Sequence, residues 1–477
     1  MVTRFGHVGW TLPLELLLVV RTHDASFRKK HISAAMEIAY CFCNSSIIVL
    51  SIFLVIIFCR FLSNRSTFRL PPSPPSLPIL GHAHLLLGST PHCALQKLSI
   101  RYGPLLYLRI GCVPVVVASS PSLAREFLNV HGSSFSSRPH ITLLDTLLYG
   151  RLRICASGAL MENNEENMHG GAPWRQVAPT LQLHSAAGER LLLTGHDGER
   201  WDTRKSAEIF ILDGLMEEVV KEHQRMEKTV ESKDIIDVLL KSIKKDKEEG
   251  EITKENVKSL ILDVFFTGIH TASIPLQFGL MELVRHPSVL LKAQAEMDSV
   301  VGKKRLVEER DLANLPYLKA IVKETLRLHP AVPMVPRAST EDCRVGEYDI
   351  PANTWVFVNV WAMGKDPWDS PSEFRPERFL GSPVNVKGEY FELLPFGSGL
   401  RMCPGSAHAL LVFCTVLAGF IQCFDWEVDG GPKRLDVEER SGGMTVSMAN
   451  KLICRPIPRF DALIVEYKSA NEYLNDR

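Results

Sequence analysis

Hydrophobic positions in this chain are distributed in three ways. From Ile38 to Leu62 they run almost unbroken, IAYCFCNSSIIVLSIFLVIIFCRFL, and between Ile47 and Phe58 only Ser51 interrupts them. A stretch of that length and character suits a bilayer-spanning helix; a buried core helix is the alternative. No small-residue cleavage site accompanies it, which favours an uncleaved anchor over a removed signal peptide. From about residue 83 onward the apolar positions recur with helix or strand period, as in a folded domain. Between 150 and 207 neither period is sustained. That segment holds Gly-Gly, scattered charges and the loop-like run MENNEENMHGGAP.

Within the periodic part, residues 84–103 predict a short amphipathic helix ending at Arg101-Tyr102-Gly103. Leu105–Ile110 and Val113–Ala118 are β-favouring runs around Gly111, a hairpin signal. Ser120-Pro121 opens a helix through Val130. The helical pattern returns at Ile209 and again in DIIDVLLKSIKK. After the charged spacer DKEEGE, a long helix is expected from Thr253 to Val284, with LILDVFFTGIHT as its buried part and Pro275 as a kink. Further helices are expected over 288–301 and 316–329, short strands near 345–350 and 354–358, and a helix from after Gly405 to Cys423. Residues 425–465 read as loops and strands. The fold class is mainly α with minor β, and no internal repeat is visible.

Charge adds a topology. The chain's 54 basic and 54 acidic residues balance, so nothing electrostatic points to a nucleic-acid partner. Arg60, Arg65 and Arg69 follow the apolar segment and hold what comes next in the cytoplasm. Arg28, Lys29 and Lys30 precede it and oppose that bias. A start at Met36 would leave only Glu37 ahead of the span, so residues 1–35 are read as a non-native or extension segment and 36–62 as the anchor. Residues 63–82 form a Pro-rich hinge, with prolines at 71, 72, 74, 75 and 78 that forbid helix and favour a stiff extended chain. Eleven cysteines lie at irregular spacings without a zinc-type CxxC pair, a pattern of reduced cytosolic thiols.

One cysteine has the surroundings of a metal ligand. In Phe396-Gly397-Ser398-Gly399-Leu400-Arg401-Met402-Cys403-Pro404-Gly405 a glycine-rich loop leads into Cys403 and a proline starts the following helix. A helix N-terminus stabilises an anionic sulfur. Gly399 and Gly405 let the backbone approach a flat cofactor, and Arg401 can pair with a carboxylate at its edge. A buried cysteine in a glycine-rich turn is the alternative.

The decapeptide resembles the heme-binding signature FxxGxRxCxG of cytochromes P450 at each fixed position. Glu324-Thr325-Leu326-Arg327 resembles that family's ExxR motif, and Pro376-Glu377-Arg378-Phe379 its PERF motif. The resemblance implies a structural ion network of Glu324, Arg327 and Arg378, and heme b with iron ligated by the Cys403 thiolate. It implies cofactor contacts at Phe396, Gly399, Arg401, Gly405 and Arg337. Thr267-Gly268-Ile269-His270-Thr271-Ala272 resembles the oxygen-activation motif. By that likeness Gly268, His270 and Thr271 are the catalytic residues, with His270 where the family carries an acid. Histidine also relays protons near neutral pH. Stretches such as ANLPYLKAIVKETLRLHP and SPSEFRPERFLG resemble plant microsomal P450s of the flavone synthase II, isoflavone synthase and flavonoid hydroxylase group. The heme domain is expected over 83–465, with 466–477 a tail.

The likeness fails over 150–207. The Trp and basic residue that hold a heme propionate in the family have only weak candidates, Trp174 and Arg175 being preferred over Trp201 and Lys205. Helices that normally precede the long central helix have no counterpart in this stretch, so the expected P450 fold is incomplete. The resemblance implies a single-pass endoplasmic-reticulum monooxygenase facing the cytosol. It would take electrons from NADPH-cytochrome P450 reductase and oxidise a hydrophobic small molecule, a flavonoid first among the candidates. Ser136–Pro139 to Tyr149, Val332–Val335 and Gly442–Val446 are expected to line its pocket. The alternatives are a non-catalytic remnant or misassembled gene product, and a reductase-independent isomerase or dehydratase.

Overall fold

The computed structural model describes residues 51–55, 68–139, 203–226, 236–237, 240, 253–431, 434–435, 437–442 and 444–460. The chain divides into two units, Met1–Thr67 and Phe68–Arg477. In the first, the described residues Ser51–Val55 are helical and exposed. Of the expected anchor, only these lie within the described residues. The second unit holds the helices and sheets below. Most of the 150–207 segment, with Trp174, Arg175 and Trp201, lies outside the described residues.

A four-stranded sheet forms one side of the second unit. Strands β1 (Leu105–Ile110) and β2 (Val113–Ala118) make the expected antiparallel hairpin, turning at Gly111 with φ +59°. Strand β2 then pairs in parallel with β6 (Trp355–Asn359), and β6 pairs antiparallel with β3 (Met334–Ala338). Leu106, Val116, Val117, Val356 and Val358 are fully buried. β-Branched residues dominate because their branched side chains pack well on a pleated surface. The expected strand run at 345–350 resolves into a small hairpin, β4 (Cys343–Val345) and β5 (Tyr348–Ile350), separated by Gly346 at φ +59°.

Residues 84–103 are not one helix. Ala83–Leu86 is a separate 3-10 turn, and helix α1 spans Pro91–Tyr102. Thr90 is extended, and Pro91 takes the first helical position, where its missing N–H is harmless. Helix α2 (Pro121–Arg125) is capped by Ser120, whose hydroxyl accepts from Leu123 N, and continues as a wider turn through Val130.

The Pro-rich segment is stitched to this sheet. Tyr107 N donates to Pro72 O at 2.9 Å, and the His82 ring bridges Arg109 N at 2.7 Å and Pro74 O at 2.8 Å. A Cβ at Gly81 would stand 2.2 Å from Arg109 O, so only glycine allows that approach. The segment therefore travels with the sheet.

Helix α3 spans Thr203–Met226, beginning earlier than the expected Ile209. Helix α4 (Lys254–Arg285) is capped by Thr253 and runs through Pro275 without interruption. Helices α5 (Pro287–Val300), α6 (Pro316–Leu328) and α8 (Ser406–Cys423) pack with it; α7 is the short Val360–Met363 helix after β6. Leu318, Ile321, Val322 and Leu326 on α6 meet Phe413, Leu417, Ala418 and Ile421 of α8 in the largest core cluster. Their i, i+3, i+4 spacing puts each set on one helix face. Each buried Leu or Ile contributes roughly 1.5–3 kcal/mol. Among the described residues α4 and α8 are long and apolar enough to cross a membrane, but their apolar faces serve this core. Four C-terminal strands follow: β7 (Phe424–Glu427) with β10 (Arg455–Pro458), and the hairpin β8 (Glu439–Gly442) with β9 (Thr445–Met448).

Candidate active site

The loop before α8 is bent around Cys403 by its own backbone. Cys403 N donates to Phe396 O at 2.9 Å and Met402 N to Gly399 O at 3.0 Å. Gly397 and Gly399 have φ of +73° and +70°. At Gly399 an added Cβ would come within 2.0 Å of Leu128 O, so the loop lies against the end of α2 only because no side chain intervenes. Gly405, at the start of α8, stands beside the sulfur: a Cβ there would lie in ordinary contact with Cys403 Sγ, at 4.0 Å. Burial pushes the Cys403 thiol above its usual range. The Gly405 backbone N–H and the charge of Arg138 pull the other way without overcoming it. A thiolate here wants a cation on the sulfur, which a bound metal supplies.

Basic side chains gather beside this loop. Arg401 donates from Nε to Ser136 O at 2.7 Å, while its Nη1 is buried with no hydrogen-bond partner. Burial and the neighbouring charge of Arg138 lower its affinity for the proton. Arg337, 2% exposed, donates to Pro336 O at 2.9 Å and to Arg401 O at 3.1 Å. A buried donor of this kind, among like charges, calls for an anionic acceptor. The sequence places Ser136–Pro139 along the pocket but does not single out Arg138 as a charge beside Arg401. Its segment reaches the site because Ala338 N donates to Ser137 O at 2.9 Å, pinning residues 134–139 beside β3. Nothing local to Phe135-Ser136-Ser137-Arg138-Pro139 announces that pairing.

The Glu324, Arg327 and Arg378 side chains meet. Glu324 takes a forked contact from Arg327 at 2.7 and 2.8 Å, a third from Arg378 Nε at 3.0 Å and a fourth from Arg375 N at 2.8 Å. Arg327 also donates to the carbonyls of Gly364, Pro371 and Glu373. Both Glu324 and Arg327 are essentially inaccessible, so the low local dielectric makes each partner necessary to the others.

Gly268, His270 and Thr271 sit on α4. They lie about two to three turns before the point where Gly279 faces Phe413 of α8. Thr271 donates its hydroxyl to Thr267 O, Thr267 to Asp263 O at 2.6 Å, and Ser273 to His270 O at 2.9 Å. Pro275 has no N–H for the Thr271 carbonyl. A Cβ added at Gly268 would meet nothing within 4 Å, and Ile269 beside it is 48% exposed. This stretch of α4 thus offers an open backbone face with a hydroxyl beside it.

A sequence profile of the cytochrome P450 family matches residues 71–163 and 198–454. The chain belongs to the cytochrome P450 family. Among curated relatives, soybean (Glycine max) cytochrome P450 93A3 is 37% identical, over 83% of this chain and 94% of its own length. Soybean 3,9-dihydroxypterocarpan 6A-monooxygenase is 35% identical over 83% and 94%. Soybean 2-hydroxyisoflavanone synthase is 34% identical over 82% and 92%. A solved zebrafish cytochrome P450 with abiraterone superposes at TM-score 0.64 with 25% identity, covering 78% of this chain and 99% of its own. The chain is thus a plant-type P450 enzyme of the monooxygenase family, and the family's cofactor is heme with a cysteine thiolate on iron. The profile leaves residues 164–197 unmatched, Trp174 and Arg175 among them. The 492 aligned positions of P450 93A3 draw on 83% of these 477 residues, which leaves about a hundred positions without a counterpart here.

Proposed function

We propose that this P450 is an endoplasmic-reticulum monooxygenase that oxidises a flavonoid-type plant metabolite with electrons from NADPH, delivered by NADPH-cytochrome P450 reductase. Residues 36–62 serve as its single anchor, and the heme domain faces the cytosol. The observation that carries the reading is Cys403 at the mouth of α8, in a loop whose Arg401 has one guanidinium nitrogen buried without a partner and whose thiol feels the charge of Arg138. Bound heme supplies reductive activation of dioxygen and insertion of one oxygen atom into a C–H bond. Cys403 is the thiolate ligand, and Phe396, Gly399 and Gly405 shape the loop that presents it. Arg401, Arg337 and Arg138 neutralise the propionates. Glu324, Arg327 and Arg378 hold the wall behind the loop rigid. Gly268 leaves an open face on α4 that would admit dioxygen beside bound heme, where His270 and Thr271 would hold and pass protons. Relatives named for dihydroxypterocarpan and hydroxyisoflavanone chemistry support a flavonoid-type substrate.

A second reading, a heme-binding or heme-free remnant without turnover, is favoured by the missing counterpart of about a hundred positions of the relative. A reduced carbon-monoxide difference spectrum of the chain expressed from Met36 in microsomes separates them. A band near 450 nm (the ordinary thiolate position), followed by NADPH-dependent loss of a flavanone when reductase is added, supports the monooxygenase. No such band, or a band without turnover of any flavonoid, supports the remnant.

A further inference from the structure

A buried acid–histidine chain crosses the second unit away from the Cys403 loop. Glu439, the first residue of β8, holds His329 Nδ1 at 3.1 Å through one carboxylate oxygen and His92 Nε2 at 3.2 Å through the other. The far nitrogen of His329 meets Glu282 Oε1 on α4 at 2.9 Å. The side chains of His92, His329 and Glu439 are only 1%, 7% and 11% exposed. Phe278 of α4 stacks on His329 with ring centroids 4.3 Å apart and planes 5° from parallel. Two carboxylates, Glu439 and Glu282, thus join α1, the end of α6, α4 and the β8–β9 hairpin through His92 and His329.

The hairpin that begins at Glu439 lies along α4. Met448 of β9 packs with Ile274, Phe278 and Met281, and Ile274 is three residues beyond Thr271. Buried Val446 donates its N–H to Ala331 O at 3.0 Å, and Met444 at the tip is 45% exposed. The register Glu439↔Met448 and Gly442↔Thr445 pairs Glu439 with the strand that packs on α4 and carries the tip.

We propose that Glu439 is a positioning residue: clasped between His92 and His329, it sets where the β8–β9 hairpin stands beside the Thr271 region of α4, and so how tightly substrate is held, with a grip that loosens in alkali. The consequence for substrate rests on the monooxygenase reading; the clasp itself does not. Burial favours neutral His92, but Cys93 and Glu439 outweigh it and raise its pKa to about 8; His329 is raised in the same sense, against burial, by Glu282 and Glu439. Burial likewise opposes ionisation of Glu439 and Glu282. The histidines outweigh it and hold both near 2, His329 and His92 acting on the first, His286 and His329 on the second. The other charged groups facing the chain are Arg285 at the end of α4, His286 between α4 and α5, Cys93 on α1, and Lys365, whose ammonium is disfavoured by its burial. A histidine whose pKa is raised on folding stabilises the clasp fully below about 6.5, its unfolded value, and loses that contribution as pH rises through about 8. The clasp is therefore tighter at neutral pH and looser in mild alkali, where neutral His92 offers Glu439 only an uncharged N–H.

Two readouts on the full chain test this. Hydrogen exchange of the Val446 amide, corrected for intrinsic rates, needs no heme. Its protection is expected to fall about tenfold between roughly pH 7 and 9, and in Glu439→Gln to be low at neutral pH with little further change. Spectral titration with 4-phenylimidazole, whose nitrogen binds the iron, is expected to show weaker affinity across the same interval in the unaltered protein only. Flat protection of Val446 between neutral and alkaline pH overturns the proposal, as does Glu439→Gln with unaltered protection and pH response. Should Glu439→Gln not fold, His92→Gln, at the outer end of the chain, is expected to remove the step near pH 8; a retained step overturns the proposal. Loss of the thiolate carbon-monoxide band would count against the monooxygenase reading alone, since hydrogen exchange still decides the clasp.

Discussion

The loop around Cys403 depends on single atoms. With φ of +70° and Leu128 O only 2.0 Å from a Cβ, Gly399 admits no side chain. Gly399→Ala is expected to abolish heme incorporation, read as loss of the reduced carbon-monoxide band in microsomes, while the polypeptide still accumulates. Glu324 presents the reverse case, a charge that cannot be removed. Glu324→Gln leaves the inaccessible Arg327 and the nearby Arg378 without their shared anion, an uncompensated burial of about 3–5 kcal/mol. It is expected to lower the urea midpoint sharply and to reduce holoprotein yield; an unchanged midpoint would mean that the two arginines find other acceptors. At this scale the Cys403 loop and the Glu324–Arg327 pair are legible in the sequence because each lies within one short run of chain, whereas Arg378, 54 residues from Glu324, enters only through the motif resemblance. The role of Arg138 is not legible, because its relation to Arg401 is created by a backbone bridge between Ser137 and Ala338.

At the scale of elements, apolar period located the hairpin of β1 and β2 and helices α4, α5, α6 and α8 to within a residue or two. Period carried less information where proline, glycine and short apolar runs meet. The 84–103 segment was read as one helix, yet Gly88 at φ +82° and Pro91 divide it into a 3-10 turn and α1. Packing between elements sets the energetics. Ile421 of α8 is completely buried against α6 and its neighbours. Ile421→Ala is expected to destabilise the fold by about 2–5 kcal/mol, through lost burial and the cavity left behind, as a downward shift of the thermal unfolding midpoint. A loss below about 1 kcal/mol would show that the core collapses around the site.

Across the whole molecule, buried charges tie distant parts of the chain together. Glu282 has its pKa brought down to about 2, against burial, by His286 and His329. A carboxylate depressed on folding contributes stability above its ordinary value near 4.5 and loses it as pH falls towards 2. Glu282→Gln is therefore expected to flatten the pH dependence of unfolding between those limits and to leave its shape near neutrality unchanged. Urea titrations at stepped pH check this, and an acid limb as steep as in the unaltered protein would contradict it.

The sequence by itself determined what is local. Turns fall at glycine and proline, helical faces follow the 3.6-residue period, and the metal-binding loop announces itself because one short run holds the thiol, the glycines and the arginine. Tertiary structure alone decided which charges meet. His92 and Glu439 are 347 residues apart in the chain, and no periodicity relates them. The carboxylate finds the imidazole because a buried charge left unpaired costs several kcal/mol, and packing α1, α4, α6 and the β8–β9 hairpin around one core brings that partner within reach.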